Sequence, residues 1–126
     1  MIIRRLSNNG SVLSSAEMKP YTHPPASKIT LSAVMQALSD PCRIGIVRAL
    51  LEADELACNE VPLKVSKATR SHHFAVLREA GLVMTRSEGT RCMTSVRRAE
   101  IDKRFPGLLE LVLKERPRNP RSKSLR

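Results

Sequence analysis

Aromatic side chains are almost absent from this chain of 126 residues. Tyr21, Phe74 and Phe105 are the only ones, and tryptophan is missing. Proteins that bind single-stranded nucleic acid or RNA commonly stack bases on aromatic rings. The composition therefore argues against a base-stacking protein and predicts a core built from aliphatic side chains.

Residues 1–28 lack a long apolar run and contain serine, asparagine, glycine and three prolines. A secretory signal needs an apolar stretch of about 7–15 residues, and a membrane-spanning helix needs about 20. We therefore expect a cytoplasmic protein without membrane association. In that compartment the three cysteines, Cys42, Cys58 and Cys92, are expected to be reduced thiols.

The residue patterns of common active sites are also missing. We find no catalytic carboxylate pair, no Ser-His-Asp order, no glycine-rich phosphate loop and no set of metal ligands. The adjacent His72 and His73 would point about 100° apart on a helix, so they cannot chelate one ion together. The sequence predicts a protein that is not an enzyme and that binds no cofactor and no metal.

Positive charge is abundant and unevenly placed. The whole chain carries 22 Lys and Arg against 12 Asp and Glu, a net charge of +10. Residues 64–98 hold eight basic and two acidic side chains, whereas residues 40–60 hold two basic and five acidic ones. This distribution is expected of a module that presents one face to a polyanion.

A helix followed by a hairpin is predicted between Ser66 and Val96. Ser66 is a typical N-cap, and Gly81 can adopt the left-handed conformation that ends a helix. Residues 82–86 and 91–96 are β-compatible runs, and Gly89 in the 87–90 link supplies the positive φ of a tight turn. Taken alone, such a hairpin is more often a solvated surface feature, but its position directly after the helix favours a contact with DNA.

Further helices are predicted on both sides of this unit. Leu31, Val34, Met35 and Leu38 have the spacing of an amphipathic helix. Asp40-Pro41 predicts the start of a second helix, because these residues suit the N-cap and the first turn. A short third helix is predicted over residues 56–61. A fourth is predicted from residue 98, interrupted at residues 105–107 and followed by a strongly apolar segment.

Three motifs in this order resemble the ArsR/SmtB family of bacterial winged-helix transcriptional regulators. They are Ala-Leu-Ser-Asp-Pro-x-Arg at residues 37–43, Ser-Lys-x-Thr-x-Ser-His-His-Phe-x-x-Leu-Arg-Glu-Ala-Gly-Leu-Val at 66–83, and Glu-Gly-Thr at 88–90. The resemblance covers about residues 30–113. It implies a mainly α fold with a small β-hairpin wing, a winged helix-turn-helix that dimerises through its terminal helices. It also implies operator binding through the helix and wing, and repression until an inducer, unknown here, releases the DNA.

The resemblance also implies an interface, and the basic, polar composition of the two ends favours flexible tails over groove-binding arms. We expect a flexible segment over residues 1–28, a DNA-binding and dimerisation domain over 29–113, and a basic flexible tail over 114–126. A homodimer with two-fold symmetry would place its recognition helices about 34 Å apart and require an inverted-repeat operator. The alternative is that the terminal helix packs back on its own subunit. The predicted dimer residues are Leu31, Val34, Met35, Leu108, Leu109 and Val112.

The predicted partner is a double-stranded DNA operator. Thr69 and His72 fall on the outward face of the helix and suit base edges in a major groove. Arg70 departs from the family pattern, in which this position is usually apolar. We expect its side chain either to reach DNA or to pair with an acid such as Glu60. The residues predicted to hold phosphates are Lys67, Ser71, His73, Arg86 and Arg91.

The signal that this regulator senses is not evident from the sequence. Family metal sensors often carry Cys-x-Cys on the third helix or an Asp and His set on the terminal helices, and both are missing. Cys58 and Cys42 are the candidate sensing thiols, with a packing role as the alternative; Cys92 is expected to lie far from them. A transcriptional repressor is the leading hypothesis. The alternatives are a thiol-based soft-metal or redox sensor on this scaffold and an architectural protein that binds DNA without sequence preference.

Overall fold

The computed structural model describes residues 21–115. Two kinds of local signal mark the ends of its helices. N-cap side chains begin the first three helices, and left-handed glycines stand at two helix boundaries. The elements in chain order are α1 Leu31–Ala37, α2 Pro41–Ala53, β1 Leu56–Ala57, α3 Lys67–Ala80, β2 Val83–Glu88, β3 Arg91–Val96, α4 Arg98–Arg104 and α5 Leu108–Lys114; short 3₁₀ helices cover Ala26–Lys28 and Cys58–Glu60.

The predicted starts of α2 and α3 are confirmed by their hydrogen bonds. The Asp40 carboxylate accepts from the backbone N–H of Cys42 at 2.7 Å, and Pro41 occupies the first turn. The Ser66 hydroxyl accepts from the backbone N–H of Thr69 at 3.1 Å. Each cap satisfies a backbone donor that the first helical turn cannot pair internally.

The third helix predicted over residues 56–61 is wrong in its first part. Leu56 and Ala57 form a short strand that pairs antiparallel with β3, in register with Thr94 and Met93. Only Cys58–Glu60 is helical, as a single 3₁₀ turn. The backbone groups of Leu56 and Ala57 pair with β3 and are not available for helical hydrogen bonds. Between Glu60 and Lys67 the chain forms no helix or strand.

The predicted hairpin is confirmed with a first strand at residues 83–88 instead of 82–86, an unchanged second strand at 91–96, and a tighter turn. β2 and β3 pair from Val83 opposite Val96 to Glu88 opposite Arg91, which leaves a two-residue turn instead of four. Gly89 in that turn has a φ of 64°. The sheet order is β1-β3-β2, so β3 is the central strand and connects the hairpin to the segment before α3.

An aliphatic core lies beneath α3, as the composition predicts. Phe74 and Leu77 are buried on its inner face, and Phe105 packs at the edge of the core. The remaining buried residues come from every α-helix, from all three strands and from the connecting segments, and they are mostly Leu, Ile, Val and Ala. Among residues 21–115, no helix combines the length and apolar character needed to cross a membrane.

Residues 21–28, which belong to the segment predicted to be flexible, form hydrogen bonds with the domain. The backbone N–H of Thr85 donates to His23 Nε2 at 2.9 Å, and Arg97 donates to the carbonyl of Pro24 at 2.7 Å. Burial, followed by the positive charges of Arg97 and Arg78, lowers the pKa of His23. A neutral imidazole is the form that can accept this hydrogen bond. Residues 1–20 and 116–126 of the predicted tails lie outside the described residues.

Gly81 provides the sharpest test of the packing between α3 and the preceding chain. Its φ is 87°, and a Cβ atom built there would lie 2.5 Å from Cγ1 of the buried Ile29. We predict that Gly81→Ala lowers the free energy of unfolding by at least about 1–3 kcal/mol, because strain and overpacking act together. Gly45→Ala is the matched control, since no atom lies within 4 Å of its added Cβ. Because Gly45 lies within α2, Gly45→Ala should leave the free energy of unfolding unchanged or raise it by up to about 1 kcal/mol. Equal urea midpoints for the two variants would contradict this packing.

Candidate nucleic-acid interface

The first half of α3 presents polar side chains to solvent. Lys67, Thr69, Ser71 and His72 are all exposed. The N-cap fixes this end, and the Ser66 hydroxyl donates to Thr69 Oγ1 at 3.0 Å. Hydroxyl, imidazole and ammonium groups are thus displayed to solvent at this end of the helix, and groups of these kinds can form hydrogen bonds with base edges or phosphates.

His73 is a correction to the predicted phosphate-binding set. Its side chain is only 7% exposed, and its Nδ1 lies 3.1 Å from a guanidinium nitrogen of Arg43. A buried imidazole that is already paired with an arginine cannot reach a phosphate. The sequence contained a signal for this position, because His73 shares an i, i+4, i+7 stripe with the buried Leu77 and Ala80.

Arg70 follows neither of the two predicted alternatives. Its guanidinium donates to the carbonyls of Cys58, Val61 and Leu63 at 3.0, 2.9 and 2.9 Å. Backbone carbonyls of an irregular segment need external donors, and Arg70 supplies them from α3. The side chain therefore fixes α3 against the segment before it and does not project toward a nucleic acid.

The two hairpin arginines form ion pairs with the acidic segment that precedes α3. Arg86 lies 2.9 Å from Glu55 and 3.3 Å from Glu88, while Arg91 lies 3.1 Å from Glu60. The hydrogen bonds that Arg86 donates to the carboxylates of Glu88 and Glu55 raise the pKa of Arg86. Both arginine side chains remain more than half exposed, at 52% and 54%. Such exposed pairs are weak and screened by salt, so a phosphate can replace the carboxylate.

The cysteines are arranged differently from the expectation of three separate reduced thiols. Cys58 and Cys92 form a disulfide, with their Cα atoms 5.7 Å apart. The expectation that Cys92 lies far from Cys58 is therefore wrong, because strand β1 brings the start of the 3₁₀ turn against β3. Cys42 is free and partly buried.

Cys42 belongs to a cluster that the sequence did not reveal. One potential ligand atom each from Asp40, Cys42 and His73 lies within 4.8 Å of the others. However, the Asp40 carboxylate caps α2, and Arg43 donates to His73 Nδ1 at 3.1 Å. A positive guanidinium on a ligand nitrogen opposes a cation, so this geometry favours a structural role. The absence of a bound metal stays a prediction.

Half of the predicted dimer residues belong to the core of their own subunit. Val34, Leu109 and Val112 are 0%, 1% and 6% exposed, so their assignment to an intersubunit surface is wrong. Leu108 is partly buried against the same core. The predicted alternative of packing back on the subunit thus holds for much of the terminal helix, because α5 contacts α2 and α4.

Three apolar side chains on the terminal helices remain exposed. Leu31 and Met35 of α1 are 50% and 55% exposed, and Leu111 of α5 is 65% exposed. Leu111 was absent from the predicted set. It is the exposed apolar residue of α5, on a helix whose Leu109 and Val112 are buried. These side chains are the ones on α1 and α5 that a partner could cover.

Arg70 is predicted to be more important for stability than any exposed cation of α3. Arg70→Met keeps the aliphatic stem but leaves three carbonyls without their donor, so it should lower the free energy of unfolding by about 1–3 kcal/mol or more. Lys67→Met is the matched control on the exposed first turn of the same helix. It should change stability by less than about 0.5 kcal/mol. Chemical denaturation monitored by circular dichroism measures both, and a tolerated Arg70→Met would refute the anchoring role.

Comparison with known proteins assigns this arrangement to a family. Residues 38–86 match the model of a helix-turn-helix domain. The chain is 41% identical over 82 residues to the uncharacterised HTH-type transcriptional regulator YceK of Bacillus subtilis, covering 63% of this chain and 82% of YceK. Reduced HlyU from Vibrio cholerae superposes with a TM-score of 0.55 at 28% identity, over 66% of this chain and 84% of HlyU. The transcriptional repressor PagR of Bacillus anthracis shares the fold, with a TM-score of 0.53 at 19% identity over 64% and 90% of the two chains. The chain belongs to the winged helix-turn-helix transcriptional regulators, which bind DNA.

Proposed function

We propose that this regulator is a sequence-specific repressor of the ArsR/SmtB type that binds an inverted-repeat operator as a homodimer. The observation that carries the proposal is the exposed polar surface on the first half of α3, beside a hairpin with an arginine on each strand. We call α3 the recognition helix and the β2–β3 hairpin the wing. The repressor role is carried over from the family resemblance of the three motifs.

Base recognition is assigned to Thr69 and His72. Both are exposed on the first half of the recognition helix, which is the part that enters the major groove in helix-turn-helix proteins. A hydroxyl and an imidazole can each donate to and accept from base edges. Lys67 and Ser71 are assigned to phosphates on either side.

The wing is assigned to the DNA backbone. Arg86 and Arg91 give up their exposed carboxylate partners when phosphates of the duplex approach. The exchange replaces one weak surface pair with another ionic contact and releases counterions from the DNA, so it favours binding at low salt. Such contacts orient the protein and carry no base preference.

The same surface could instead belong to an architectural protein that binds any duplex. A specific regulator should prefer its operator to random DNA by at least about 10³-fold, whereas an architectural protein should show little preference. The directional groups of Thr69 and His72 favour the specific regulator, because they add nothing to a purely electrostatic interaction.

We predict that His72→Ala weakens operator binding by about 1–3 kcal/mol and relaxes sequence preference, since a base contact is lost. Arg91→Ala should instead weaken binding to all duplexes and lower the salt slope by about one ion. Lys103→Ala is the charge-matched control, because Lys103 is an exposed cation on α4 and outside the proposed interface. Fluorescence anisotropy with operator and scrambled duplexes at several salt concentrations gives these quantities. Equal losses on both duplexes for His72→Ala would contradict its assignment.

Dimerisation is assigned to the exposed apolar side chains of α1 and α5. We predict that Met35→Asp combined with Leu111→Asp yields a folded monomer, because both positions are more than half exposed within the subunit. Carboxylates buried without partners would cost several kcal/mol in a dimer. Met84→Asp is the control, since Met84 is 47% exposed on the wing. Light scattering with circular dichroism separates a monomer from an unfolded chain, and a double variant that stays dimeric would move the interface elsewhere.

A further inference from the structure

The disulfide between Cys58 and Cys92 encloses the proposed interface. The two cysteines are 34 positions apart in sequence. The closed loop contains the whole recognition helix, Lys67–Ala80, and the first wing strand, Val83–Glu88. The bond therefore links the turn that precedes the recognition helix directly to the second strand of the wing.

Other links between this turn and the wing are weak by comparison. Arg91 and Glu60 form an exposed ion pair at 3.1 Å, and β1 contributes only two paired residues to the sheet. Exposed ion pairs contribute little, and a two-residue strand is short. On the other side, Arg70 ties the carbonyl of Cys58 to the recognition helix at 3.0 Å. The disulfide thus completes a connection from the wing to the recognition helix.

A small thiol can reach the pair. Cys58 and Cys92 are both partly exposed and line an open cavity of about 500 Å³, together with Lys67 and Arg78. The hydroxyl of Tyr21 donates to Cys92 Sγ at 3.4 Å. Thr94 Oγ1 lies 3.2 Å from Cys58 Sγ, so each sulfur has a hydroxyl neighbour that can stabilise negative charge on it when a thiolate attacks the other.

We propose that Cys58 and Cys92 form a reversible thiol–disulfide exchange site that controls how firmly the wing is held beside the recognition helix. The chemical partner is a low-molecular-weight thiol and its disulfide. One thiolate bonds to the Cys58 sulfur, the protein S–S bond breaks, and the electron pair leaves on Cys92. A second thiolate then attacks the small-molecule sulfur of this mixed disulfide. The bond to Cys58 breaks, and the two small thiols leave as a disulfide. The two protons of the thiols end on Cys58 and Cys92, and oxidation reverses every step.

The oxidised state is the one that favours DNA binding. A crosslinked wing is already ordered beside the recognition helix, so less conformational freedom is lost when both contact the duplex. Cellular thiol systems normally keep such pairs reduced, which makes oxidation the signal. This inference rests on the proposed function, because its readout is operator affinity.

The test compares the protein equilibrated in reduced glutathione and in glutathione disulfide, at the same salt concentration. Oxidised wild type should have one thiol open to alkylation, Cys42, and reduced wild type should have three. Operator affinity should fall about tenfold on reduction. Cys58→Ser and Cys92→Ser should bind like the reduced protein under both conditions. Cys42→Ser is the matched control and should respond like wild type.

Measurements without DNA separate this inference from the proposed function. Oxidation should raise the Tm by roughly 10 °C and slow amide hydrogen exchange in the wing, since closing a long loop restricts the unfolded chain. Three alkylated thiols under all conditions, a disulfide between two chains, or equal operator affinity in both states of a chain that does bind its operator specifically would overturn the inference. The opposite outcome is also informative, in which the chain shows the thiol count, the Tm shift and slower exchange and yet binds no duplex specifically. That result would refute the proposed function and uphold the exchange site.

Discussion

The hydrogen bonds of Arg70 are the constraint on which the geometry of the interface depends. The segment before the recognition helix contains only a single 3₁₀ turn, so its carbonyls lack helical partners. One guanidinium satisfies three of them and lies on the same face as the buried Phe74 and Leu77. Together the cation and the core set the rotation of the recognition helix about its own axis. The opposite face, with Thr69 and His72, is therefore directed into solvent.

The position of the wing depends on a second set of interactions that differ in strength. Glu55 and Glu60 come from the acidic segment and pair with Arg86 and Arg91 of the basic one. These exposed pairs orient the arginines in the free protein and can be exchanged for phosphates. The disulfide is covalent and does not respond to DNA. Electrostatic exchange at Arg86 and Arg91 and redox exchange at Cys92, the neighbour of Arg91 on β3, are thus separate means of adjusting one surface.

Local signals in the sequence predicted most of the fold. The Asp40-Pro41 start, the Ser66 cap and the Gly81 end each depend on neighbouring residues, and all three are confirmed. Features created by residues distant in sequence were not predicted. The pairing of β1 with β3 and the disulfide that it brings together join positions 34 to 38 apart (Cys58 to Cys92 and Leu56 to Thr94), for which the sequence has no periodic signal. The burial of His73 was readable from its stripe, but its pairing with Arg43 was not.

Sequence-specific recognition by the recognition helix is tested most directly by selecting duplexes from a random pool with the oxidised full-length protein. The affinity of the selected sequence is then compared with that of its scrambled form at fixed salt. The expected result is an inverted repeat with half-sites about 10 base pairs apart, bound at least about 10³-fold more tightly than the scrambled duplex. A pool without an enriched motif and an affinity ratio near one would contradict specific recognition.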